Sequence, residues 1–174
     1  MMTVNEETSL VPEQTAVDVS SPETHYHIQC DEVRLVSSLF HPLVEEEDIP
    51  DETSFSFEIK AFVQENEAIS HLETQVIYFS ADEARGSDSK YYLRFGLMVK
   101  FVGDEGISPE EMSDFSKLYT LSILWPYARE YVSDHFRRAG ESYVSLPVIN
   151  PQVVTEQLIE EDLVEVVYVE DAQE

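Results

Sequence analysis

Basic residues are scarce in this chain: ten lysines and arginines stand against 36 aspartates and glutamates in 174 residues, a formal net charge of -26. A field of that sign repels phosphates and anionic lipid heads, which excludes nucleic acid and membrane surfaces as natural partners. The same charge keeps a protein soluble while apolar surface is exposed, and it favours basic or unfolded polypeptides. Cysteine is nearly absent. With Cys30 alone there is neither an intrachain disulfide nor a multi-cysteine zinc site, as expected of a reducing compartment. The five glycines, Gly86, Gly96, Gly103, Gly106 and Gly140, are dispersed. The closest pair brackets Asp104 and Glu105, so "GDEG" reads as a turn and not as a phosphate cradle. Long apolar runs are missing too. The uncharged stretch between Lys117 and Arg129 falls short of the roughly 18 residues a membrane helix needs. The N-terminal "MMTVNEETSL" has no basic start and no apolar signal core, so a cytoplasmic protein without membrane insertion is expected.

A hydrophobic fraction of 43% supports one core in a single domain. Residues 1–24 carry acids, prolines and no basic residue, and read as a disordered acidic arm. From His25, Tyr26, Ile28 and Cys30 alternate, and Val33 and Leu35 resume one step out of phase, which predicts a strand bulged near Asp31. "SFSFEIKAFV" sets Phe55, Phe57, Ile59, Ala61 and Val63 on one face of a second strand. Ile69 to Ser80 is β-prone with poorer alternation, as for a strand buried on both sides or meeting a partner subunit. "KYYLRFGLMVKF" alternates again. Four strands with short loops predict an antiparallel meander.

Helical signals follow. Ser108, Pro109 and Glu111 form a capping box, and Met112, Phe115, Leu118 and Tyr119 recur at helical spacing. Pro126 predicts a kink or restart, after which Tyr127, Tyr131, Val132, His135, Phe136 and Ala139 form a stripe ended by Gly140. "SYVSLPVIN" runs extended, and Asn150 with Pro151 caps a second helix carrying Val154 and Leu158. The expected fold is α+β, a four-stranded antiparallel sheet with two main helices packed on one face. The domain spans 25–162, and 163–174 is an acidic, apolar tail.

No catalytic set and no metal site emerges. His25 and His27 lack further ligands, His135 sits on the helical stripe, Cys30 reads as a small buried apolar group, and Glu45–Asp48 and Glu160–Asp162 read as solvated charge. An enzyme is not expected, and neither is a cofactor.

The block "ILWPYAREYVSDHFRRAG", followed by "SLPVIN" and a short helix, resembles the SecB protein-export chaperone family. Leu124, Pro126, Tyr127, Ala128, Arg129 and Glu130 match the motif that opens that family's long helix, and Leu146, Pro147 and Asn150 match the connection to its last one. The resemblance implies an ATP-independent cytosolic holdase for unfolded polypeptides or preproteins, a homo-oligomer built as a dimer of dimers, and SecA as a further partner. At the tail, "LVEVVYVED" stands where the family has a polar segment that contacts SecA. Divergent SecB-like proteins that serve one dedicated partner, such as chaperones attached to toxin–antitoxin systems, are resembled at least as well. A holdase needs apolar grooves in an acidic surface. The client-binding candidates are Phe55, Phe57, Trp125, Tyr143, Val144, Leu146 and Val148, each of which could equally be ordinary core. Pro147 places the extended crossover at the surface as a groove wall.

Overall fold

The computed structural model describes residues 27–43, 53–82, 87–141 and 144–169. The acidic arm, His25, Glu45–Asp48 and Tyr143 lie outside them. Five strands and two helices follow in the order β1 (Ile28–Pro42), β2 (Ser54–Gln64), β3 (Glu67–Asp82), β4 (Ser87–Gly103), α1 (Pro109–Arg138), α2 (Pro151–Glu160) and β5 (Val164–Tyr168). The α+β class holds. The sheet is not the expected four-stranded antiparallel one: it has five strands in the order β1-β4-β3-β2-β5, and β5 runs parallel to β2. Residues expected in the C-terminal tail therefore extend the sheet.

The predicted meander covers only β2, β3 and β4, which are successive antiparallel neighbours. β1 pairs with β4, not β2, in a Greek-key arrangement. The connection from Pro42 to Ser54 is too long for a tight hairpin, whereas β2 turns into β3 at Glu65 and Asn66. That turn is anchored: the Asn66 side-chain amide donates to the Gly103 carbonyl at 2.7 Å, and the Gly103 N–H donates to the Asn66 carbonyl at 2.8 Å. The bulge expected near Asp31 is present between Cys30 and Glu32, and a second lies between Leu35 and Ser37.

One face of the sheet is apolar and carries the helices. Ile59, Ala61, Val63, Leu72, Val76, Leu93, Phe95, Leu97, Val99 and Phe101 are buried there beneath Met112, Leu121, Leu124, Trp125, Val132 and Phe136 of α1. β3 has a single buried face. Its alternation is masked in the sequence because Ser70 and Thr74 occupy core positions between Ala68, Leu72 and Val76. The opposite face is laced with ion pairs: Lys60 with Glu165, Arg94 with Glu73, and Lys100 with Glu67.

α1 begins at the expected capping box, the Glu111 N–H donating to the Ser108 hydroxyl at 3.2 Å and the Ser108 N–H to the Glu111 carboxylate at 2.9 Å. It does not restart at Pro126; one helix runs through to Arg138. The proline is exposed, so the helical bond it cannot donate is lost on the wet side, where water serves the freed carbonyl.

Candidate functional site

The block at Leu124–Glu130 divides between core and surface. Leu124 and Ala128 are fully buried, while Tyr127 is 50% exposed and therefore stands off the buried stripe. Arg129 reaches from α1 to the crossover, its Nε donating to the Leu146 carbonyl at 3.0 Å. One turn earlier the Trp125 indole N–H donates to the Pro147 carbonyl at 3.2 Å. Two donors from one helix thus satisfy successive carbonyls of an irregular segment, and they hold it against the helix without a ladder of its own. The segment then enters α2, where the Asn150 side chain accepts from the Gln152 N–H at 3.1 Å.

The result is an aromatic shelf. The Trp125 ring lies 5.4 Å from Phe57 and 6.3 Å from Phe55, centroid to centroid. Trp125, at 3% exposure, is the floor; Phe57 is half-buried, Phe55 is exposed, and Val148 on the crossover is 82% exposed. Val144 and Leu146 are buried and belong to the core, so of the described crossover candidates it is Val148 that faces solvent. Among the described residues, the β2 edge beside this shelf has no strand against it. The first half of β2, Ser54 to Glu58, pairs with β3 alone, and β5 takes up only Ile59 to Val63.

A second apolar hollow, of about 330 Å³, separates β1 from α1 and is lined by Val33, Leu35, Leu97, Tyr127 and Tyr131 among others. Leu35 and Tyr127, its exposed apolar residues, were not singled out as binding residues in the sequence, because Leu35 follows a bulge and Tyr127 shares the helical period of Tyr131; Arg34, Glu130 and Asp134 complete its rim. A third hollow of about 570 Å³ lies on the ion-paired face, around Glu58, Lys60, Phe62, His71, Glu73 and Glu165. There burial lowers the His71 pKa, the Arg34 charge lowers it further, and Glu73 opposes both.

The remaining candidates are structural. His27 pairs with Asp104 in the open. His135 packs on Tyr131 at 4.1 Å between ring centroids, and its Nδ1 lies 3.1 Å from the Tyr131 carbonyl. Cys30 is not buried as expected but exposed, because among the described strands β1 lies at the sheet edge with β4 as its one neighbour. Its thiol is nonetheless pushed up in pKa, first by local desolvation and then by Asp31, so it carries little thiolate. Among the described residues no group of three or more His, Cys, Asp or Glu is placed to hold a metal ion. No helix among them is long and apolar enough to cross a membrane.

Compared with protein-family profiles and with curated proteins, the sequence finds no match. Solved structures do match. The Mycobacterium tuberculosis SecB-like chaperone Rv1957, determined in complex with a ChAD peptide from the Rv1956 HigA1 antitoxin, superposes with a TM-score of 0.54 at 15% identity, over 71% of this chain and 91% of that one. The fold is SecB-like. A protein of unknown function from Streptococcus agalactiae aligns over 71% of this chain and 98% of its own at 8% identity, with a TM-score of 0.36. Within this SecB-like fold, Trp125 and Arg129 of the Leu124–Glu130 block tie the crossover to the long helix. Trp125 also packs on Phe55 and Phe57, and the Pro147 carbonyl it holds is one residue of crossover before exposed Val148.

Proposed function

We propose that the protein is an ATP-independent, SecB-like chaperone that holds an extended, apolar segment of a partner polypeptide on the shelf at Phe55, Phe57, Trp125 and Val148. The observation that carries this reading is the shelf itself: exposed Phe55 and Val148 at a stretch of β2 that pairs on one side only, with β3, on a molecule whose charge of -26 keeps it dispersed. The antitoxin peptide in the mycobacterial neighbour favours a dedicated partner over a general clientele. Tail contacts to SecA form no part of the reading, because the residues at that place make β5. Suppressed aggregation of two unrelated denatured enzymes, without nucleotide, marks a general holdase. Protection confined to one co-purifying partner marks the dedicated form, and protection of nothing at several-fold excess overturns both.

A further inference from the structure

β5 occupies the edge of β2 in the manner of a bound strand. Among the described residues it has one neighbour, and its far edge pairs with none of them. Of its residues only Val164 is buried; Val166 and Val167 are half-buried, and Glu165 and Tyr168 are exposed, as is the following Val169. Its register with β2 is Ile59 to Val164, Lys60 to Glu165, Ala61 to Val166 and Val63 to Tyr168. Val164, Val166 and Tyr168 therefore lean toward the helix face, while Glu165 meets Lys60 on the outer face at 2.6 Å. The turn from α2 holds Asp162 at a left-handed φ of 55°, which a non-glycine residue adopts at some cost. β2 itself is paired with β3 along its whole length, so the sheet survives without β5.

We propose that β5 is an internal competitor for the partner polypeptide, and that an arriving segment begins on the open half of β2 and extends by replacing β5. This rests on the polypeptide-binding reading above. The occupant it specifies copies β5: an extended segment with apolar side chains at alternate positions and an acidic one opposite Lys60. When the competent state is only a fraction of the population, apparent affinity falls by that fraction, so the grip of β5 on β2 sets the affinity for partners.

The test is a reversible lock. Lys60 and Glu165 are direct neighbours in register, which suits a disulfide, so Lys60→Cys and Glu165→Cys are combined with Cys30→Ser. Two fluorescent probes are titrated against the oxidised and reduced forms: carboxymethylated α-lactalbumin, and a synthetic peptide of residues 163–170. A release variant, Val167→Pro, removes an N–H that the Val169 to Val63 hydrogen bond places on the β2 side by two-residue alternation. Oxidation is expected to weaken both probes by about tenfold or more, and Val167→Pro to tighten them, with its fold verified by circular dichroism. Equal binding by the oxidised and reduced forms overturns the displacement while leaving polypeptide binding intact. A disulfide that links two chains overturns the internal arrangement in favour of an exchanged strand. Failure of every form, wild type included, to retain either probe overturns the displacement and the general-clientele reading together. If Val167→Pro unfolds, the lock alone decides.

Discussion

Leu146 and Val148 stand in the same irregular segment, yet one is 3% exposed and the other 82%. Leu146→Asp places an unpaired carboxylate in the core, at a cost of several kcal/mol against a total stability of about 5 to 15 kcal/mol. Its thermal midpoint should collapse. Val148→Asp removes no buried contact, so its stability should change by less than about 0.5 kcal/mol while capture of an unfolded client drops. Melting and client-aggregation assays on the pair check both halves, and a destabilised Val148→Asp would remove that residue from the shelf. His71 offers a pH test. Its folded pKa lies below the ordinary 6.5, through desolvation first and Arg34 second. The unfolded chain therefore takes up this proton at higher pH than the folded one, and stability is lost as pH falls through about 6.5 toward the folded value. Urea midpoints measured between about pH 5 and 8 should slope less for His71→Gln than for the wild type.

At the level of elements, α1 depends on its first turn. Ser108→Ala removes a side-chain acceptor and half of a reciprocal pair, and should cost about 1 kcal/mol, read as a lower urea midpoint with an unchanged slope. Both helix starts were legible, because caps are local chemistry: Ser108 and Glu111 satisfy each other's N–H groups, Asn150 accepts from the Gln152 N–H, and Pro151 has no N–H to satisfy. β2 was legible because its apolar face is continuous. β3 was legible as a strand but not as one with a single buried face, since Ser70 and Thr74 sit in the core as hydroxyls and interrupt a period that the backbone keeps. Pairing was the least legible feature. That β1 seeks β4, and β5 seeks β2, depends on contacts far apart in sequence, and "LVEVVYVED" showed its β-propensity without its neighbour. Of the shelf, the aromatic members Phe55, Phe57 and Trp125 could be named from the sequence. The division of the crossover into buried Leu146 and exposed Val148 required the donors from Trp125 and Arg129.

Among the described residues, Leu35, Val36 and Leu39 are exposed on β1, and Leu118, Tyr119 and Tyr127 on the long helix. We infer a homo-oligomer through these surfaces, and light scattering that returned the 20.0 kDa monomer at micromolar concentration would rule it out. The Greek-key pairing of β1 also has a consequence in time. A chain made from its N-terminus completes β1 before β4 exists, with β2 and β3 synthesised in between. During that interval a strand bearing Leu35, Val36 and Leu39 has no partner within its own chain, and closing so long a loop is slow. A newborn molecule of this protein passes through a condition, an apolar strand without its sheet partner and exposed to its neighbours, of the kind that the proposed polypeptide-holding activity would relieve in another chain.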